Sequence, residues 1–394
     1  MNYILFEDTF TDNLAPITIN HASFEVRCGA FTNIERVENL MESTDKLFLI
    51  VRQSLSSLIK ERFPNHIVNP DILPSGLYLN GASIWDSKTI KKLNTESNFF
   101  YNGNLVAKST QQSIKLTDFI DKINENTQKT VDIKVIHFNY LWDIINNQKE
   151  VLENDVNHFS TYSGQKIHNS VIRYNKNEIF IHDSAEVLAG TILDASKGPI
   201  IIDKNVSVDI GALVQGPVYL GKNSKINLGA KIRGNISLGS TCKVGGEIGD
   251  TVFQGYSNKQ HDGFLGHSYI GEWVNLGANT NNSNLKNNYS HIRVKLARHL
   301  EVNSMQQFLG VFIGDFSKSG ISTMFNSGTI VGLGANVFGS GFQDKFIESF
   351  SWGNDDKTNF DKFIITCNRI MSRRKCKLSD IEVDFIKNIY NKII

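Results

Sequence analysis

Two histidines six residues apart, His261 and His267, are the side chains here best suited to moving a proton. An imidazole ordinarily titrates near neutrality. The same pair could hold a metal ion, but a third histidine upstream at fitting spacing is missing, so no metal site is expected. Asn275 and Asn284 follow in the same stretch. An amide can donate to a sugar oxygen or a developing oxyanion and can also accept, yet asparagine ladders equally stabilise stacked coils. Arg233 offers a planar fork to phosphate, or a solvated charge at a corner. Cys28, Cys242, Cys367 and Cys376 form no C-x-x-C pair. That excludes a disulfide framework and a cysteine zinc site, and fits a reducing cytoplasm.

Phosphate chemistry finds less support near the N-terminus. The first apolar run, Tyr3-Ile4-Leu5-Phe6, leads into Glu7-Asp8-Thr9-Phe10-Thr11-Asp12-Asn13. A loop that cradles phosphate needs glycines for close backbone approach. This one has neither glycine nor arginine, and its acids repel phosphate. Arg27 and Gly29 follow and could substitute in part. No aspartate pair for Mg2+ is evident.

The elements that carry these residues are set by a repeat. From Ile202, every sixth residue is aliphatic: Val208, Val214, Leu220, Ile226, Ile232, Leu238 and Val244. Four residues after each comes a small or apolar one: Val206, Ala212, Val218, Ser224, Ala230, Ile236, Cys242 and Ile248. A strict period of six is the mark of a parallel β-helix, with an aliphatic side chain inside each short strand and a small one at each corner. Ile181 and Val187 extend it upstream, and Ile270, Leu276 and Asn282 downstream. Ile313, Ser319, Phe325, Val331 and Val337 resume it. The polar, basic break at 287–308 reads as a loop thrown out from one edge.

Residues 1–135 alternate apolar runs with helical stretches such as Gln53–Arg62, which predicts a small α/β domain. Asn80-Gly81 and Asn102-Gly103 predict hairpin turns. Residues 136–178 read as a linker, 179–345 as the β-helix and 346–394 as a helical tail. The run Arg373-Arg374-Lys375 reads as a solvated helix end. Forty-one Lys and Arg against forty Asp and Glu give a net charge of +1, so no nucleic-acid or membrane-surface partner is expected. No run of eighteen apolar residues is present, and the N-terminus lacks a basic, apolar signal pattern.

The stretch from Lys259 to Ala278 resembles the acetyltransferase half of the GlmU family, matching H-L-x-Y-L-G-D-A-x-I-G-x-x-V-N-I-G-A-G-T without gaps from His261 to Asn284. Ile313-Gly314-Asp315 through Val331-Gly332 resembles that family's next coils, and Leu14-Ala15-Pro16-Ile17-Thr18 its L-x-P-L-T piece. The short N-terminal domain, with Tyr256-Ser257-Asn258-Lys259, is similar to a Bacteroidetes-type variant. The resemblance implies a reduced nucleotidyltransferase-like α/β domain, a left-handed parallel β-helix, a C-terminal helical tail and a homotrimer. It implies acetyl transfer from acetyl-CoA to glucosamine 1-phosphate, towards UDP-N-acetylglucosamine. His261 would be the base, Arg233, Phe264, Asn275 and Asn284 would hold the sugar phosphate, and Thr323 and Ala335 would lie by the cofactor. Phe264 stands where the family has a tyrosine, and Lys259 is near, but not aligned with, the family's lysine. The alternatives are a sugar-1-phosphate nucleotidyltransferase using UTP and Mg2+, with the β-helix as oligomeriser, and an inactive trimeric scaffold.

Overall fold

The computed structural model describes residues 1–93, 96–122, 130–354 and 356–393. In the N-terminal domain the strand Asn2–Phe6 lies parallel to Lys46–Ile50 and to Gly76–Asn80. Ile4, Leu5 and Phe6 are fully buried, as a strand covered on both faces requires. These are the centre of a seven-stranded sheet, with an antiparallel part at Ser97–Tyr101 and Asn104–Thr110. Asn102 and Gly103 join those two strands with φ of 49° and 81°, the type I′ turn that Asn-Gly predicts. Asn80-Gly81 makes no hairpin. Gly76–Asn80 pairs in parallel with its neighbour, and Gly81 packs tightly on Ser23 and Phe24 instead.

The expected linker contains a helix, Leu141–Asp155, with Asp143 accepting the Asn139 and Tyr140 backbone N–H groups, each at 2.9 Å. It packs against both halves of the chain through Leu141, Trp142, Ile144 and Ile145. Asp155 at its end pairs with the buried Arg36 and accepts the Ala30 N–H at 2.8 Å.

The hexads fold as their period predicts. Ile202 lies beside Leu220 and Leu220 beside Leu238, three hexads further on each time. Val208, Ile226 and Val244 stack likewise on a second wall, and Val214 and Ile232 on a third. Each coil is thus a triangle of short parallel strands around one apolar column, in keeping with the left-handed β-helix expected. The three walls are called here the first (Val208, Ile226, Val244), second (Val214, Ile232) and third (Ile202, Leu220, Leu238).

Beyond Val244 the spacing shortens. Ile248, read above as a corner residue, takes the inward place beside Ile232. Phe253 follows beside Leu238, and Lys259 beside Val244. A lysine therefore occupies a core position on the first wall, with no exposed surface. Its Nζ donates to the backbone carbonyls of His261 and Asp262, the latter at 3.2 Å. Burial pushes its pKa down to about 8.

Three boundaries differ from expectation. Parallel strands begin at Lys166–Ile167 and Ile172–Tyr174, inside the expected linker, because this first coil is exposed and polar and leaves no strict hexad trace. The coils run on through Phe346–Ile347 and Ser351–Trp352, so the tail becomes helical only at Phe360–Ser372 and Asp380–Ile393. The break at 287–308 is not a loop thrown outward. It holds an antiparallel hairpin, Arg293–Ala297 with Leu300–Asn303, whose buried Ile292 and Val294 lie in one apolar cluster with Ile330.

The segment 11–32 runs along the coils. Arg27 is buried, with Nη1 donating to Ala30 O at 2.6 Å and Nε to Gln254 O at 3.3 Å. Ser237 Oγ donates to Gly29 O. Neither Arg27 nor Gly29 can take the part of a phosphate loop, since the domain junction already occupies both.

Candidate functional site

The second wall carries the residues that matter. Its outward positions bring together Arg233, Phe264 and Asn284, three of the sequence candidates. Arg233 is exposed, with Nη1 2.7 Å from Glu247 Oε1. One coil beyond Glu247, the Phe264 ring lies over Gly266, where an added Cβ would fall 2.6 Å from the ring and 3.0 Å from Asn284 Nδ2. Only glycine leaves room for both the ring and the amide against this backbone.

His267 ends the wall at the next corner. Asn284 Nδ2 donates to its Nδ1 at 2.9 Å, and its Nε2 lies 3.8 Å from Asp250 Oδ2. That arrangement assigns the proton of the neutral ring to Nε2. Phe308, from the insertion, stacks on the imidazole with centroids 5.4 Å apart. Burial, and Arg233 after it, push the His267 pKa down against the pull of Asp250. His261 stands at the opposite corner of the same wall, exposed, its ring taking no hydrogen bond among the described residues. Its position is fixed from behind by Lys259, which holds its carbonyl.

The remaining candidates lie elsewhere. Asn275 is exposed on the first wall beside Asn258, with 3.5 Å between the amides. Thr323 is buried and donates to Gly320 O at 2.9 Å. Ala335 is fully buried, its N–H donating to Ser317 Oγ at 3.0 Å. Both side chains are turned from solvent, so only backbone there is open to a cofactor. His267, Asp250 and Phe308 did not emerge from the sequence as a unit. A one-coil separation between His267 and Asn284 was the available signal.

A cleft of about 490 Å³ opens below, lined by Lys295 and Arg298 of the hairpin, by Lys345 and Lys357 of the last coils, and by the carboxylates of Asp344, Glu348 and Asp356. Glu348 pairs with Arg298 and, at 2.8 Å, with Lys357. Lys345 donates to Arg293 O at 3.2 Å, and burial, with Lys286 and Lys295 nearby, pushes its pKa down although Glu301 opposes. Backbone bonds run down one edge from His267 to Gly310 and on to Gly328, with Lys345 next. Three coils at strand spacing put the cleft about 14 Å from His267.

In the N-terminal domain, polar groups collect where strands Asn2–Phe6 and Gly76–Asn80 end. Asn80 Nδ2 donates to Asp8 Oδ2 at 2.7 Å, and Ser83 Oγ meets His137 Nδ1 at 2.8 Å. Ligands of open parallel sheets bind at such ends, where Arg52 is a cation already paired with Glu7 at 2.7 Å.

Comparison with known proteins gives a consistent picture. Residues 3–163 match the model of a sugar nucleotidyl transferase family. A bifunctional sugar-1-phosphate nucleotidylyltransferase/acetyltransferase of Sulfurisphaera tokodaii is 27% identical over 274 residues, 69% of this chain and 60% of the relative. The bifunctional protein GlmU of Methanocaldococcus jannaschii is 32% identical over 103 residues, 26% of this chain and 25% of the relative. The chain thus spans less than two thirds of either relative. Among solved structures, a Francisella novicida UDP-N-acetylglucosamine acyltransferase covers 57% of this chain and 78% of its own, at 12% identity and a TM-score of 0.23. A mutant GDP-perosamine N-acetyl transferase of Caulobacter crescentus, in complex with CoA and GDP-perosamine, covers 80% and 97%, at 10% identity and a TM-score of 0.14. Both superpositions are loose. The N-terminal part is nucleotidyltransferase-like and the remainder a parallel β-helix with short C-terminal helices.

Proposed function

We propose that the chain is an acetyl-CoA-dependent N-acetyltransferase acting on an amino-sugar phosphate, glucosamine 1-phosphate first, in nucleotide-sugar synthesis. The observation that carries this reading is the second wall itself. Arg233, Phe264 and Asn284 gather there between two histidines, with a cleft of mixed charge, four cations and three carboxylates, further down the edge. Arg233 would receive the sugar phosphate and the amide of Asn284 a sugar hydroxyl or the oxyanion. The sugar amine attacks the thioester carbonyl carbon; the C–N bond forms, the C–S bond breaks, and the thiolate leaves to be protonated. His261 would take the proton the amine gives up, as the resemblance implies, while His267 is held as a neutral, oriented partner. An extended acyl carrier whose phosphates lie in the cleft would bring its thioester towards this wall, about 14 Å away along the edge.

The same reading has the site shared between copies in a homotrimer. Leu228 and Ile321 are 73% and 79% exposed on the corner that bears His261, with Ile210 in line. Ile210 and Leu228 are neighbours there and Ile321 lies four coils beyond Leu228, and exposed apolar side chains so placed would suit contact with a second copy of the chain. Uridylyl transfer from UTP with Mg2+ is a second reading, favoured by the family match over 3–163. It is weakened by the burial of Arg27 and Gly29 in the domain junction.

The test is thiol release from acetyl-CoA with glucosamine 1-phosphate, comparing His261→Ala and His267→Ala. We expect His261→Ala to lose about 100-fold or more and His267→Ala about 10-fold. The reverse order would move the base to His267. Sugar-dependent release unaffected by either change would overturn this site, and pyrophosphate release from UTP without acetyl transfer would establish the second reading.

A further inference from the structure

The domain junction contains a cluster with no part in the chemistry above. His21 and Asp315 are buried, and Glu272 beside them is half-buried. Each offers a ligand atom, and these atoms all lie within 4.8 Å of one another. His21 comes from the N-terminal domain, Glu272 and Asp315 from adjacent coils of the β-helix. His21 Nε2 is 2.8 Å from Asp315 Oδ2.

A second observation points to a ligand. Asn20 is 5% exposed, its Nδ2 donates to Asp315 Oδ2 at 2.9 Å, and its Oδ1 has no partner. A buried amide oxygen left unsatisfied is costly. Asn20, Glu272 and Asp315 together line a small cavity of about 20 Å³. The Glu272 carboxylate accepts no hydrogen bond among the described residues, although its backbone N–H donates to Asp315 Oδ1 at 2.8 Å. Asn20, Glu272 and Asp315 thus face the cavity, His21 adjoins them through Asp315, and two of these four donors are without partners.

The surroundings also fit. Metal-bound histidine usually presents its other nitrogen to a carboxylate, which fixes the ring. Here His21 Nδ1 lies between Arg62 Nη1 at 3.3 Å and Glu25 Oε1 at 3.5 Å, and Arg62 anchors Glu25 at 2.9 Å. Arg62 also lines the cavity and faces Glu25, Glu272 and Asp315, so three carboxylates meet one guanidinium there.

We propose that His21, Glu272 and Asp315, with Asn20 Oδ1, bind one divalent transition-metal cation that joins the N-terminal domain to the β-helix. One imidazole and three oxygens suit Zn2+ or Mn2+ better than Mg2+, which prefers oxygens and its own waters. The role is structural: the ion joins two domains and lies apart from the second wall.

The test uses the full chain stripped with chelator, then titrated with Zn2+ alone and followed by calorimetry and thermal melting. Co2+ in place of Zn2+ reports the donor set by its visible absorption. We expect one tight equivalent and a rise in Tm. Glu272→Gln, which removes a carboxylate that accepts no hydrogen bond, should fold and bind at least tenfold more weakly. Asn20→Ala is the companion variant and should weaken binding less. A folded chain that takes up no Zn2+, or takes it up equally in wild type and Glu272→Gln, overturns the proposal and leaves an ion-pair network only. Because the readout is binding and melting, it fails or succeeds independently of acetyl transfer.

Discussion

The β-helix has two halves of different character. From Ile202 to Val244 the coils are strict, every sixth side chain is aliphatic and inward, and the outward surface carries Arg233 among solvated charges such as the Lys225–Asp209 pair. From Ile248 to Phe325 the spacing shortens, Lys259, Asn282 and Ser319 enter core positions, and a hairpin interrupts the count. His261, His267, Asn284, Glu272 and Asp315 all lie in that second half. The regular half maximises apolar stacking. The irregular half gives up some of it to place polar groups, as expected where function and fold compete.

The largest effect that separates the halves should come from Gly266→Val. Its side chain would drive Phe264 and Asn284 apart, and acetyl transfer should fall about 100-fold or more, since displacement near 1 Å in a reacting geometry carries that penalty. Steady-state thiol release with circular dichroism as a fold control decides it; undiminished transfer would detach this wall from the chemistry. The counterpart in the regular half is Ile226→Ala. It should lower stability by about 2–5 kcal/mol, read by urea unfolding, while the folded enzyme keeps its turnover. A large loss of turnover at full folding would contradict the division of labour.

The smallest effect is the most specific. The folded Lys259 has its pKa pushed below the ordinary 10.5 to about 8, so the unfolded chain binds more protons between those values. Stability should therefore rise with pH across that window. Lys259→Met should abolish this rise and leave stability at pH 7 equal or higher, because an apolar side chain of similar length fills the place. It should also lower acetyl transfer several-fold, because the His261 carbonyl loses its donor. A variant with the wild-type pH profile would show that the lysine is not titrating there.

Much of the fold was legible because a period of six leaves a strict trace wherever the interior is apolar. Ile202 through Val244 could be assigned one by one. The trace fails at Ile248, where a shortened coil turns an apparent corner residue inward, and sequence spacing alone does not report that change of register. It fails again in the coil at 166–174, whose strands face solvent. Asn102-Gly103 gave its turn and Asn80-Gly81 did not, since the antiparallel partner of Gly76–Asn80 is Asn104–Thr110, further along the chain, and not the residues that follow Gly81. At the site, Arg233, Phe264 and Asn284 converge because they fall at fitting places along one wall, Phe264 two coils beyond Arg233 and Asn284 on the next. Asn275 lies a wall away in the same motif, and Phe308 reaches the site from an insertion that follows no period.

One consequence concerns modularity. The matched segment 3–163 looks like a unit that could be moved between proteins, with the β-helix attached as a second module. The burial of Leu14, Ile17, Val26, Arg27 and Cys28 says otherwise, because they cluster with or bond to Val252, Gln254, Tyr269 and Phe312 of the coils. Cut free at residue 163, that segment would expose the surface it now shares. The two parts have been fitted to each other so closely that neither can be exchanged like a cassette. Any relative that carries only one of them must have rebuilt this surface.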